Sequence, residues 1–138
     1  MLDDVLEVCA AVGTAIVADA PGGQGQAVAA ALEGLSGPVA IVNSDLPCAQ
    51  PGELEQLLAA APALVAARDG TTNALALADA RDFEPLYGIG SASRFRDVLG
   101  AEPLDLPGLR DDVDTREDLE RILARAGRHT RLAVEVRV

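Results

Sequence analysis

The chain has 138 residues, a length that one hydrophobic core usually serves, so we expect a single domain over residues 1–138. Apolar residues make up 49% of it, but the aromatic residues are only two Phe and one Tyr, which predicts a core of small aliphatic side chains. The formal net charge of −11 argues against a nucleic-acid partner, because binding to a phosphate backbone needs a basic surface.

The N-terminal residues are acidic where a secretory signal would be basic, and no long apolar span occurs in the chain. Cys9 and Cys48 show no CxxC spacing, and the only histidine, His129, lies in a polar C-terminal stretch. A histidine-activated cysteine nucleophile is therefore not favoured. We expect a soluble cytoplasmic protein with two reduced thiols and no membrane association.

Short apolar runs alternate with longer runs of helical period along the chain. Strands are predicted over 14–19, 38–44, 63–68, 73–78 and 102–106, and helices over 23–35, from Pro51 onward, over 91–100 and over 114–127. Alternating strands and helices predict an α/β fold with a mostly parallel sheet and helices on both faces. The alternating segment 132–138 is either an edge strand of this sheet or an arm that extends the sheet of a second chain, so a homodimer is possible.

Asp45 stands at the end of the predicted strand over 38–44 and is followed by Leu-Pro. In a parallel α/β sheet, ligands bind beyond the carboxyl ends of the strands. Asp45 is therefore a candidate site residue, although an aspartate here could also simply form a turn.

A second acidic element is the stretch RDDVDTREDL over 110–119. In an extended segment Asp112 and Asp114 point to the same side, and such a pair suits Mg²⁺, which binds one or two carboxylates together with substrate phosphates. The alternatives are that Asp114 only precedes the cap of the next helix and that Asp111 is only solvated. Thr115 and Asp118 have the spacing of a capping box.

Two loops of small residues, over 70–74 and 87–93, could offer backbone N–H groups and hydroxyls to an anion. Arg94 and Arg96 follow the second loop and could meet a phosphate or carboxylate, or face solvent. Each loop taken alone could also be an ordinary connection or a helix cap.

Together these motifs resemble a known family of enzymes. SDLPCAQPGELEQLL, ARDGTTNALAL, YGIGSASRF and GLRDDVDTREDL follow the order and spacing of the 2-phospho-L-lactate and phosphoenolpyruvate guanylyltransferases of coenzyme F-420 biosynthesis. The resemblance covers roughly residues 15–126. It implies a Rossmann-like nucleotidyltransferase domain of GT-A type that uses Mg²⁺ to transfer GMP from GTP to a three-carbon phospho-acid, with release of pyrophosphate.

The resemblance also implies roles for individual residues. Asp45 and Asp112 would be catalytic, and the same two carboxylates with Asp114 would bind the metal. Thr71, Thr72, Asn73, Gly88 and Ser91 would hold the phospho-acid.

In this family a loop with lysine and arginine near the N-terminus grips the triphosphate. The present chain has no lysine and nothing similar before residue 14, so we expect that segment to be lacking. Two other functions stay open: another nucleotidyltransferase of the same fold, such as one in molybdenum-cofactor synthesis, and a non-catalytic module that binds a phospho-acid or partners with an active homologue.

Overall fold

A four-stranded sheet with helices on both faces forms the centre of the protein. The computed structural model describes residues 2–113, 115–122 and 125–127. The strands are β1 (Val39–Val42), β2 (Ala63–Ala66), β3 (Thr72–Leu77) and β4 (Glu102–Pro103). The helices are α1 (Leu2–Val12), α2 (Gln24–Leu32), α3 (Pro51–Ala59), α4 (Ser91–Leu99), α5 (Pro107–Arg110) and α6 (Arg116–Ile122), with a 3-10 turn at Ala80–Asp82. The predicted strand over 132–138 lies outside the described residues.

The strand order is β1-β3-β2-β4, and only the β2–β4 pair is parallel. β3 runs antiparallel to both β1 and β2, so the prediction of a mostly parallel sheet is wrong. The physical reason is the short connection over residues 67–71, because two parallel neighbours need a crossover of about a dozen residues or more. β1, β2 and β4 nevertheless point in one direction, and β3 alone is reversed.

The predicted strand over 14–19 is also wrong, because residues 14–20 form neither helix nor strand. Ile16 is 62% exposed and Val17 53% exposed, so neither side chain packs on a sheet. The preference of such residues for strands reflects packing on a half-buried sheet surface, which this segment does not find among the described residues. Helix α1, in contrast, was not predicted.

The sheet buries apolar side chains on both faces, as predicted. Because neighbouring side chains in a strand alternate, Ala63 and Val65 pack towards α1 and α3, whereas Leu64 packs towards α4. The first face contains Leu46, Leu54, Leu57, Ala74, Ala76 and Leu109, and the second contains Leu75, Leu77, Phe95 and Ala101. Small aliphatic residues dominate, as the composition predicted.

All three aromatic residues of the chain meet on the α4 face. The Tyr87 ring meets the Phe95 ring edge-on with centroids 5.1 Å apart, and lies 6.1 Å from the Phe83 ring. Burial raises the pKa of the Tyr87 hydroxyl. The contact between the Tyr87 and Phe95 rings packs the start of the loop over 87–93 against helix α4.

The helix ends follow the predicted signals. Thr115 and Asp118 form a reciprocal capping box: the Thr115 N–H donates to Asp118 Oδ2 at 3.2 Å, and the Asp118 N–H donates to Thr115 Oγ1 at 3.1 Å. Gly100 ends α4 in the left-handed conformation, with φ 68°.

Two findings concern the expectation of reduced thiols and of no membrane association. Cys9 and Cys48 are both free thiols, and Cys48 is buried. Within the described part of the chain, no helix is long and apolar enough to cross a lipid bilayer.

We predict that Leu75→Ala lowers the free energy of unfolding by about 2–5 kcal/mol, because it leaves a cavity on the central strand β3. Leu75 is fully buried. The matched control is Val98→Ala on the outer side of α4, where Val98 is 53% exposed, and it should change stability by less than about 0.5 kcal/mol. Urea unfolding measures both, and equal effects of the two substitutions would contradict the assigned core.

Candidate active site

The predicted site residues collect at one edge of the sheet, where β1 and β2 end and the reversed strand β3 begins. The register pairs Val42 with Ala74, and the Asn43 N–H then donates to the Asn73 carbonyl at 2.9 Å. The first residues of β3 therefore lie beside the last residue of β1. Asp45 follows two residues later.

Asn73 is buried, and its side chain contacts the segments on both sides of it at this edge of the sheet. Its Nδ2 donates to the Arg110 carbonyl at 2.8 Å and lies 3.4 Å from Asp112 Oδ1. On its other side, Asn43 Nδ2 donates to the Thr72 carbonyl at 3.2 Å and lies 3.5 Å from Asn73 Oδ1. One buried amide thus joins the end of β1 to the acidic segment that follows α5.

The two aspartates predicted to be catalytic are brought together by the main chain. The Val113 N–H donates to the Asp45 carbonyl at 3.1 Å, so Asp112 and Asp45 belong to adjoining segments. Leu46 and Pro47, which follow Asp45, are fully buried and anchor that segment. The structure therefore places the two segments side by side, and the pairing of the Asp45 and Asp112 carboxylates stays a prediction.

Asp45 and Asp112 offer the hard oxygen ligands that Mg²⁺ prefers, and Mg²⁺ commonly uses one or two carboxylates and takes its other ligands from phosphates and water. The pair therefore fits this ion. Within the described residues, no three His, Cys, Asp or Glu side chains are grouped so that they could hold a metal. The third predicted ligand, Asp114, lies outside the described residues, and its role stays a prediction.

The two small-residue loops are joined to each other. Thr72 Oγ1 and Ser91 Oγ are 2.9 Å apart, and both side chains are buried. The Ala92 N–H donates to the Gly70 carbonyl at 3.1 Å, and the Ser91 N–H to the Gly88 carbonyl at 3.0 Å. Because the Thr72 and Ser91 hydroxyls bond each other, they hold the two loops together. Of the five residues predicted to hold the phospho-acid, only Thr71 and Gly88 reach the surface.

The hydroxyl of Thr71 points back into its own loop. It donates to Asp69 Oδ1 at 2.6 Å, and the Thr71 N–H donates to the same oxygen at 3.0 Å. The side-chain hydrogen bond and then the backbone hydrogen bond lower the pKa of Asp69. Asp69 therefore stays ionised and holds this turn in place.

Arg94 supports the second loop from within. Its guanidinium donates to the carbonyl oxygens of Ile89 at 2.6 Å, Leu86 at 2.9 and 3.1 Å, and Tyr87 at 3.2 Å. Arg96, in contrast, pairs with its neighbour Asp97 at 3.0 Å on the surface. The sequence left open whether Arg94 meets a phosphate or carboxylate or faces solvent. In the structure its guanidinium binds carbonyls of the loop itself.

This arrangement sets the direction of the N–H groups in the loop. In a planar trans peptide the N–H points opposite to the C=O, so carbonyls that face Arg94 turn the N–H groups of Gly88 and Gly90 away from it. Neither N–H donates to another described residue. Both glycines have positive φ, 115° and 74°, which other residues rarely adopt. Backbone N–H groups without a protein acceptor can donate to an anion.

Asp111 is a further residue of this edge, and the view that it is only solvated is wrong. Its side chain is 1% exposed and is surrounded by three arginines. Arg110 Nε donates to it at 3.2 Å, Arg125 Nη2 also donates to it, and Arg68 Nη2 lies 3.5 Å away. Side chains of successive residues in an extended segment point to opposite sides, so Asp112 faces Asn73 while Asp111 enters the interior.

Burial by itself raises the pKa of Asp111, but hydrogen bonds and charges from Arg125 and Arg110 outweigh it and hold the pKa below the ordinary value. Asp111 is therefore ionised at neutral pH. Sequence reasoning missed Asp111 and Asn43 as parts of the site, although Asp111 directly precedes Asp112 and Asn43 stands two residues before Asp45.

Comparison with known proteins tests the resemblance directly. The chain is 40% identical over 131 residues to a phosphoenolpyruvate guanylyltransferase of Streptomyces coelicolor, a match that covers 83% of this chain and 60% of the relative. It is 44% identical over 95 residues to the enzyme of that name from Streptomyces scabiei (62% and 43% covered), and 43% identical over 99 residues to that of Geodermatophilus obscurus (67% and 46%). The predicted resemblance is confirmed.

This chain is thus similar in sequence to proteins named phosphoenolpyruvate guanylyltransferase. It spans at most about three fifths of the length of these relatives. No protein-family model matches the chain. The similarity covers most of this chain, while the Rossmann-like GT-A architecture that the resemblance implied stays a prediction.

We predict that Asp111→Asn lowers the free energy of unfolding by about 1–3 kcal/mol at pH 7, because it removes charged hydrogen bonds. The native pKa of Asp111 is lowered, so its stabilisation is present above the unfolded-state value of about 3.9 and is lost as the pH falls through the native value. The difference from the wild type should therefore shrink below about pH 4.

Chemical unfolding across this pH range measures the effect. Asp97→Asn, at an exposed pair on α4, is the control and should change stability by less than about 0.5 kcal/mol. A difference between Asp111→Asn and the wild type that does not vary with pH would contradict the ionised state of Asp111.

Proposed function

We propose that this chain transfers GMP from GTP to the phosphate of a three-carbon phospho-acid and releases pyrophosphate, as part of deazaflavin coenzyme F-420 synthesis. The observation that carries the proposal is the meeting of Asp45, Asp112, Asn73 and the Thr72–Ser91 pair at one edge of the sheet. These residues come from four separate motifs that share no local structural reason to converge.

The names of the relatives support this reaction and supply its preferred acceptor, phosphoenolpyruvate. 2-Phospho-L-lactate carries the same carboxylate and phosphate groups and is the second acceptor to test. No comparison favours the non-catalytic alternative. We place the reaction in the cytoplasm, in keeping with the free thiols of Cys9 and Cys48.

In this proposal Asp45 and Asp112 hold Mg²⁺, and Asp114 is assigned as a further ligand. When bound, Mg²⁺ would neutralise phosphate charge and stabilise the pyrophosphate that leaves. Asn73 keeps Asp112 in position through the contact at 3.4 Å, and its second bond, to the Arg110 carbonyl, fixes the segment that carries Asp112. The rigid attachment matters because a displacement of about 1 Å at a reacting group can cost about 100-fold in rate.

The acceptor is assigned to the two joined loops. The outward N–H groups of Gly88 and Gly90 suit its phosphate, and Thr71 lies at the mouth of the neighbouring loop. Thr72 and Ser91 keep the two loops at a fixed separation. The loops thereby aim the acceptor oxygen at the α-phosphorus of GTP, and direct attack needs no covalent enzyme intermediate.

The first test is pyrophosphate release from GTP and Mg²⁺ with phosphoenolpyruvate, 2-phospho-L-lactate and 3-phosphoglycerate in turn. Asp45→Asn and Asp112→Asn should each lower the rate by at least about 100-fold, because each removes charge stabilisation at the reacting phosphates. EDTA should abolish turnover. Asp97→Asn, which changes an aspartate on the surface of α4, is the control and should keep the wild-type rate.

Unchanged melting temperatures of Asp45→Asn and Asp112→Asn would show that these variants lose activity without losing stability. The proposal is overturned if the wild type releases no pyrophosphate with any of the three acceptors. Full activity in Asp45→Asn would remove the metal role of that residue.

We further predict that Arg94→Gln raises the KM for the phospho-acid by about tenfold with a smaller change in kcat, since it loosens the carbonyls that orient the anion-binding N–H groups. Arg96→Gln removes the same charge from the same helix but leaves the loop intact, because Arg96 bonds Asp97. Steady-state kinetics with varied phospho-acid separates the two variants. An equal KM in both would refute the role of Arg94 in the loop.

A further inference from the structure

Glu53 lies in the first turn of α3, but its carboxylate bonds a different element. Its Oε2 accepts the N–H of Gly108, the second residue of α5, at 2.9 Å. An acid in the first turn of a helix commonly serves only the dipole of its own helix. Here the carboxylate also provides an acceptor for an N–H at the start of another helix, where the helix itself has none to offer. Glu53 therefore joins α3 to α5.

The contact between the two helices leaves no room for a side chain at Gly108. A Cβ placed there would overlap the Cys48 carbonyl oxygen and Glu53 Oε1. Gly108 lies within a helix, a conformation open to most residues, so it is the close approach and not the backbone angle that requires glycine here. The start of α5 is thus pressed against the segment that follows Asp45.

From Gly108 the backbone leads to Asp112 through a continuous set of hydrogen bonds. The Asp111 N–H donates to the Pro107 carbonyl at 3.1 Å. The Asp112 N–H donates to the Arg110 carbonyl at the same distance. A displacement of Gly108 is therefore passed on to Asp112.

The chain from Asp45 to Glu53 is held in a similar way. Residues 46–49 are all buried. The Glu53 N–H then donates to the Gln50 carbonyl at 3.1 Å and begins α3. The position of the Glu53 backbone is therefore fixed relative to Asp45.

Two hydrogen bonds join the segment that carries Asp45 to the segment that carries Asp112. At one end the Val113 N–H donates to the Asp45 carbonyl at 3.1 Å, and at the other the Gly108 N–H donates to Glu53. Segments joined at one point can pivot about it, and the second bond removes that freedom. Mg²⁺ requires near-ideal octahedral geometry with ligands at about 2.0–2.1 Å, so its carboxylate ligands tolerate little movement.

The stability of the fold does not by itself account for the Glu53 carboxylate. Its Oε1 atom is buried and accepts no hydrogen bond from the described residues, which is unfavourable for a charged group. A hydrogen bond to a carboxylate is, however, about twice as strong as one to a neutral acceptor. The carboxylate therefore holds Gly108 more firmly than a neutral side chain would.

We infer that Glu53 is a positioning residue for the proposed metal ligands and that it fixes Asp112 relative to Asp45 through Gly108. The inference rests on the proposed function, in which the two aspartates bind Mg²⁺. Glu53 acts on the backbone that carries Asp112, whereas Asn73 contacts the Asp112 side chain.

The experiment titrates the full chain with Mn²⁺, which accepts the same oxygen ligands as Mg²⁺, without nucleotide and at physiological ionic strength. Electron paramagnetic resonance measures free Mn²⁺, and the binding that Asp45→Asn removes defines the site. Glu53→Asp keeps the charge but is one methylene too short to reach Gly108. It should weaken Mn²⁺ binding at the site by about tenfold, the lower end of the effect of residues that orient metal ligands.

Two further variants separate reach from charge. Glu53→Gln loses the charge but keeps an acceptor at the right distance from Gly108, so it should retain most of the affinity for Mn²⁺. Glu55→Asp makes the same change at an exposed acid of the same helix and should bind Mn²⁺ as the wild type does.

The inference is overturned if Glu53→Asp binds Mn²⁺ as tightly as the wild type, even when its melting temperature is lower, because Glu53 would then serve stability alone. It is also overturned if Glu53→Gln weakens binding as much as Glu53→Asp does, which would assign the effect to charge. A wild type that binds no Mn²⁺ through Asp45 overturns it as well.

This inference and the proposed function can fail separately. Mn²⁺ binding that depends on Asp45 and Glu53, in a protein that releases no pyrophosphate, supports the positioning role and removes the guanylyltransferase function. Pyrophosphate release by the wild type, together with unchanged Mn²⁺ affinity in Glu53→Asp, does the reverse.

Discussion

The reversed direction of β3 is the constraint on which the candidate site depends. β1 and β2 end at the edge where β3 begins, so Asn73, the second residue of β3, lies beside Asn43 and can reach Asp112. A parallel strand in the same position would carry these side chains to the opposite edge. The short loop between β2 and β3 enforces the reversal, because it is too short for a crossover. That same loop contains Thr71 and Arg68.

Charge is distributed unevenly at this edge. Asp112 faces Asn73 on one side of the segment that follows α5, and Asp111 faces its arginines on the other. The alternation of side chains along an extended backbone produces this separation from consecutive residues. The result is that Asp112 faces Asn73 at the candidate site, while the arginines near Asp111 neutralise the buried carboxylate.

Buried contacts hold the two small-residue loops in the conformation that they present at the surface. Thr72 and Ser91 bond each other out of contact with solvent, and the Tyr87 and Phe95 rings pack beneath the loop. Arg94 draws three carbonyls inward and thereby turns N–H groups outward. Residues that the motifs suggest as ligands thus serve partly as supports, and the polar groups that reach the surface are largely backbone.

Sequence by itself determined the local features: the central strands, the helix ends with the Thr115–Asp118 capping box, the acidic motifs at Asp45 and Asp112, and the resemblance to guanylyltransferases. These follow from residue spacing and short-range hydrogen bonds, which the order of residues specifies directly. Tertiary structure alone decided the direction of β3, the exposure of residues 14–20 and the burial of Asp111 among arginines distant in sequence. Those outcomes depend on which segments meet in the folded chain. A buried charge is stable only if it finds partners, and a segment with strand preference forms a strand only if it finds a sheet to pair with.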